Sequence, residues 1–195
     1  MDHWRYYLQG RLLELLRRKP QAIDAYRSAA KMLPGFMRPV NRMAYLLAAL
    51  DRFDDAEPHF RAVLRAQPEN AVAHFNLGYT LDKRNRHAEA MVAFREATRL
   101  RPGLDRAWYG LGLAYAALGQ HPEAAAALEQ AAKLQPMNPH AWYQLGMALH
   151  VTGRKERFDQ VVMHLLRFDP KMTRRLIRIP VLPISPTSSK TSWCK

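Results

Sequence analysis

The sequence predicts an all-α solenoid of five antiparallel helix hairpins, and three observations predict it. Pro34, Pro68, Pro102, Pro136 and Pro170 fall 34 residues apart, so the chain is a tandem array. Within one such interval Trp108, Leu111, Gly112 and Tyr115 stand at i, i+3, i+4 and i+7, a single stripe of a helix. Ala124, Leu128 and Ala131 form a second stripe, and Gly119, Gln120 and His121 between them make a turn. Pro122 follows where a first helical turn tolerates a missing N–H. Each interval is therefore a helix hairpin.

Counted to two residues past each proline, the units are His3 to Phe36, Met37 to Asn70, Ala71 to Leu104, Asp105 to Asn138, and Pro139 to Met172. The fourth, seventh, eighth, eleventh, twentieth, twenty-fourth and twenty-seventh positions carry the pattern. The first unit reads Tyr6, Gln9, Gly10, Leu13, Ala22, Tyr26, Ala29, and the second Val40, Met43, Ala44, Leu47, Ala56, Phe60, Val63. The third reads His74, Leu77, Gly78, Leu81, Ala90, Phe94, Ala97, and the fourth is the interval already described. The fifth, Trp142, Leu145, Gly146, Leu149, Phe158, Val162, Leu165, puts a large Phe158 at the twentieth position, as a terminal unit without a sixth neighbour tolerates. Glycine inside a helix costs about 1 kcal/mol relative to alanine. Gly10, Gly78, Gly112 and Gly146 at one register thus imply that another backbone needs the space. Asp54, Asp55 and Glu57, then Glu89 and Glu123, open second helices, where negative charge complements the helix dipole.

The repeat length, the small residues at the eighth and twentieth positions and the terminal proline together resemble the tetratricopeptide repeat family, from His3 to Met172. The resemblance implies a right-handed solenoid whose first helices line a concave groove that holds extended or helical segments of other proteins. Groove-facing positions are then chiefly the second, fifth, sixth, ninth and twelfth. The fifth and ninth are Tyr7 and Arg11, Asn41 and Tyr45, Phe75 and Tyr79, Tyr109 and Leu113, Tyr143 and Met147, an aromatic strip. Second and sixth positions add Arg38, Arg42, Asn76, Arg106, His140 and Gln144, and Glu14 and Asp82 are the acids of that face. Such a groove suits another protein, through a segment with bulky apolar side chains interspersed with Asp, Glu or a terminal carboxylate. The family's clamp for acidic chaperone tails is not supported, because at its positions Asn76 matches, Arg106 matches in charge only, and Asn41, Tyr45 and Gly110 fail.

Composition narrows the function classes. With 48% hydrophobic and 10% aromatic residues the 195-residue chain is expected to fold. Its longest apolar run, residues 43–50, is far short of a membrane span and belongs to a repeat, and the amino terminus lacks signal-peptide features, so a soluble cytoplasmic protein is expected. The single Cys194 excludes an internal disulfide. Residues 173–179 are expected to form a short amphipathic helix capping the fifth hairpin, and residues 180–195, rich in Pro and Ser, to be disordered. The net charge of +13 attracts acidic partners, nucleic acid or anionic surfaces. Nucleic acid is disfavoured, because no dense Lys/Arg stripe lies on the inner face and Arg61, Arg65, Arg95 and Arg99 belong to second helices. Catalytic constellations, phosphate loops, cofactor motifs and metal-ligand sets are not found: His140 and His150 lie about 15 Å apart along one helix, and His87 and His121 sit in hairpin turns. The sequence therefore predicts a non-catalytic adaptor or scaffold, with a basic nucleic-acid-binding repeat protein, or a regulatory module of a separate enzyme or signalling complex, as the alternatives.

Overall fold

The computed structural model describes residues 2–178. Among them are eleven helices and no strand. In order these are α1 (Asp2–Leu15), α2 (Lys19–Met32), α3 (Met37–Ala48), α4 (Phe53–Ala66), α5 (Ala71–Lys83) and α6 (His87–Leu100). They continue as α7 (Asp105–Ala117), α8 (His121–Leu134), α9 (Pro139–Val151), α10 (Lys155–Leu166) and α11 (Pro170–Ile177). The first ten pair into hairpins, and residues 180–195, expected to be disordered, lie outside the described residues.

Every hairpin turn has the same backbone. Arg17, Asp51, Asn85, Gly119 and Gly153 all take positive φ, between 57° and 74°, at equal intervals along the chain. The left-handed conformation costs a residue with a Cβ roughly 1–2 kcal/mol and glycine little. Only the last two turns use glycine. Asp51→Gly and Asn85→Gly are therefore each expected to raise stability by up to about 1 kcal/mol in urea unfolding, while Gly119→Ala is expected to lower it.

Stacking follows one rule. Each second helix packs on the next first helix, α2 on α3, α4 on α5, α6 on α7 and α8 on α9. First helices also meet one another, α3 with α5, α5 with α7 and α7 with α9, whereas second helices of successive hairpins do not approach comparably. An array tied together along its first helices bends toward them, so that side is concave. Successive units are latched through one hydrogen bond: the indole Nε1 of Trp108 donates to the Pro102 carbonyl at 2.7 Å, and that of Trp142 to the Pro136 carbonyl at 2.8 Å. His74 Nε2 reaches the Pro68 carbonyl at 2.8 Å in the third unit.

The interior corrects one expectation. A Cβ on Gly10 would sit 2.6 Å from the Tyr26 ring, on Gly78 2.8 Å from Phe94, and on Gly112 2.5 Å from Leu128. The space is thus taken first by the large twenty-fourth side chain of the facing helix; at Gly112 a backbone atom, the Ala124 carbonyl at 3.3 Å, is also among the three nearest.

The fifth hairpin breaks the rule, for a physical reason. Phe158 is too large for the close approach, and Val162 is only half-buried. Leu176 of α11 is fully buried instead, and a Cβ on Gly146 would meet it at 2.6 Å. That helix begins at Pro170 rather than at Thr173, because the Asp169 carboxylate accepts from the Met172 amide at 2.9 Å and caps it. It packs on both α9 and α10.

The acids at second-helix starts also do more than complement a dipole. Glu57 is buried, and its carboxylate accepts from Arg61 at 2.8 Å, from Arg86 at 2.8 Å and from Arg84. Arg84 also pairs with Asp54 at 2.6 Å, and Arg86 with Glu89 at 2.6 Å. The cluster bolts α4 to the turn of the third hairpin.

Candidate binding surface

The concave side of the middle hairpins holds a pocket of about 230 Å³. Tyr45 from α3, Phe75, Asn76 and Tyr79 from α5, and Arg106 from α7 line it, over a floor of Ala48, Ala49 and Phe60. Their common direction follows from the repeat: positions five, six and nine of first helices share the face that neighbouring first helices leave open. Tyr45 is 47% exposed and Tyr79 40% exposed, large values for aromatic rings. Phe53 meets Tyr79 edge-on at 6.1 Å with Lys83 Nζ 5.5 Å from its ring, and the Arg42 guanidinium lies 5.6 Å from Tyr45.

The polar groups divide into spent and unspent. Glu14 receives Arg42 through two hydrogen bonds, one of them at 3.2 Å from Nε, and the Tyr26 hydroxyl at 2.8 Å. Burial pushes the Glu14 carboxyl up, but the Arg42 and Tyr26 bonds outweigh it and hold it below its ordinary value. Asp82, the other acid of this face, pairs with His87 Nδ1 at 3.0 Å. Both acids are thus committed to structure. Arg106 is exposed and pairs with no acid among the described residues, and the Asn76 carboxamide likewise makes no hydrogen bond to them. The pocket therefore presents two aromatic faces, an amide and an uncompensated guanidinium.

The rest of the sequence-predicted strip does not join this pocket. Tyr7 is withdrawn from the groove: its ring is buried, 5.6 Å from Trp4, 5.3 Å from Phe36 and 5.7 Å from Tyr26, because Trp4 and Phe36 close over it at the end of the array. Arg11 and Arg38 are exposed nearer that end, and Arg42 is engaged by Glu14. Asn41 turns its Oδ1 inward, where it is buried without a hydrogen bond. Tyr109 packs against Trp142 and the alanines of α8 and α9, and burial pushes its phenol up against an opposing hydrogen bond to Gln144. Leu113 is half-buried and His140 exposed. Tyr143 and Met147 pack into the C-terminal core, and the Arg175 guanidinium of α11 lies 5.5 Å from the Tyr143 ring. The far end of the strip is covered by α11.

Two features escaped the sequence. Ala48 and Ala49 open the pocket floor, and their signal was two successive small residues at the end of α3. A second, larger cleft of about 950 Å³ lies on the outer side between α4 and α6, over Leu77 and Leu81, with Val92 exposed in it. Its signal was Val92 at a register held elsewhere by Asp24, Pro58, Ala126 and Gln160.

The tetratricopeptide repeat profile matches residues 41–105, 92–133 and 109–158, more than half of the chain. The chain belongs to the tetratricopeptide repeat family. No curated protein sequence matches it. Among solved structures, a MamA protein superposes with TM-score 0.80 at 20% identity, over 93% of this chain and 98% of that one. MamA from Desulfovibrio magneticus RS-1, residues 41 to the end, gives TM-score 0.75 at 23% identity over 91% and 96%. YrrB, described as a TPR protein with an unusual peptide-binding site, gives 0.78 at 18% over 89% and 91%. At such identities the likeness establishes the shared tetratricopeptide solenoid. No metal-holding cluster of His, Cys, Asp and Glu occurs among the described residues, and no helix there is long and apolar enough to cross a membrane.

Proposed function

We propose that this tetratricopeptide array is a protein-interaction scaffold that holds a peptide segment of a partner in its concave groove, centred on the pocket between α3, α5 and α7. The observation that carries the reading is the meeting, around a preformed hollow, of two half-exposed tyrosines with Arg106, which pairs with no acid among the described residues. Tyrosine offers wide contact area at small entropic cost, and arginine takes a carboxylate in a two-pronged bond. The matching segment places a bulky apolar side chain in the hollow and an Asp, Glu or terminal carboxylate within reach of Arg106. The peptide-binding site named for YrrB supports the class of ligand without placing it on this chain.

A random peptide display library selected on the full chain supplies the probe. Selected peptides are expected to combine aromatic or aliphatic residues with acids. Tyr79→Ala is expected to weaken the best of them by about 30-fold or more, as interface anchors do, and Arg106→Glu to reverse the preference for acids. Unchanged affinity in both variants, with helicity intact by circular dichroism, would place the site elsewhere.

A further inference from the structure

An unpartnered apolar face stands at the start of the array, on the side of α1 turned away from the core. Leu8 is 61% exposed, Leu12 56% and Leu15 79%, at i, i+4 and i+7 of one helix, and Leu16 is exposed beside them. In every later first helix the middle of this face is covered, whereas the positions in register with Leu8 stay half-buried and those in register with Leu15 exposed. The residues in register with Leu12, namely Leu46, Thr80, Ala114 and Ala148, are all buried, as are those in register with Arg5, where α2, α4, α6 and α8 lie. The face on α1 is thus shaped to receive a helix, and the described residues supply none.

We infer that the occupant is a second copy of this chain, its α1 lying antiparallel across the first about a two-fold axis near the middle of the helix. Such an axis sets Leu8 against Leu12 of the second copy and Leu12 against Leu8, a self-complementary apolar seam. It also brings Asp2, at the start of one helix, toward Arg17 and Arg18 just past the end of the other, while the two helix dipoles oppose. None of Asp2, Arg17 and Arg18 has an ionic partner among the described residues, so the pairing displaces nothing. Head-to-tail stacking is disfavoured by charge: α11 at the other end carries Lys171, Arg174 and Arg175 without an acid, and would face Arg5, Arg17 and Arg18. Leu8 stands at the sixth position, on the groove side of α1, but no residue of the seam lines the pocket between α3, α5 and α7.

Sedimentation equilibrium of the full chain, with reductant, from about 1 to about 100 µM tests this. A dimer is expected. The double substitution Leu8→Glu with Leu12→Glu is expected to give a monomer of unchanged helicity, since both side chains are exposed. Asp2→Lys is expected to raise the dimer dissociation constant about tenfold, and adding Arg18→Glu to restore it. A monomer throughout the range, a dimer indifferent to the leucine substitutions, or a mass that climbs without limit as in a filament would each overturn the closed pair.

Discussion

Phe94→Ala is expected to destabilise the array by about 3–5 kcal/mol, the cost of emptying a close-packed aromatic site. The ring of Phe94 is almost fully buried, tilted against Phe75 at 6.0 Å, and seated between two glycines. A Cβ on Gly78 of its own hairpin would lie 2.8 Å from it, and a Cβ on Gly110 of the next hairpin 2.6 Å. One side chain therefore fills the hairpin and the junction beyond it. Stability in a solenoid is a sum of unit and junction terms, so a loss at this place weakens both. Urea unfolding should show a lower midpoint and, because the third and fourth hairpins separate more readily, a shallower transition. A loss under about 1 kcal/mol would show that the two glycines close over the space.

Gly112→Leu is expected to cost about 3 kcal/mol by overpacking. The introduced Cβ meets Leu128 at 2.5 Å and the Ala124 carbonyl at 3.3 Å. Leu128 is itself buried and has no room to retreat. Because the clash is with a side chain more than with the backbone, it is repairable. Leu128→Ala alone leaves a cavity and costs about 2–4 kcal/mol, yet combined with Gly112→Leu it should cost less than the sum of the two. Strict additivity in thermal unfolding would mean that α7 and α8 are set apart by something other than this pair.

Much of the architecture was legible because it rests on spacing alone. The proline interval gives the unit, the stripe of Trp108, Leu111, Gly112 and Tyr115 gives α7, and Pro122 stands in the first turn of α8. What stayed hidden depends on which atoms meet. The left-handed turns at Arg17, Asp51 and Asn85 carry none of the glycine that marks Gly119 and Gly153, so sequence shows only two of the five. Gly146 looks like its counterparts, and nothing local reveals that Leu176, thirty residues on, replaces Val162 against it. The binding strip was read from register, and register treats all units as equal. The ends are not: Trp4 and Phe36 bury Tyr7, and α11 covers Tyr143 and Met147. Among the central units Tyr45, Phe75, Asn76, Tyr79 and Arg106 share one hollow, while Asn41 turns inward and Tyr109 packs on Trp142.

The seating of Leu176 against Gly146 gives the array a polarity. Because α11 is lodged where the last hairpin would otherwise close on itself, new units appended downstream must first evict it and repack Phe158. Units added upstream would instead settle on the exposed Leu12 side of α1, in place of the second copy inferred to lie there. Lengthening of this scaffold by duplication or by engineering is therefore directed to its amino-terminal side, with the carboxyl-terminal side acting as a stop.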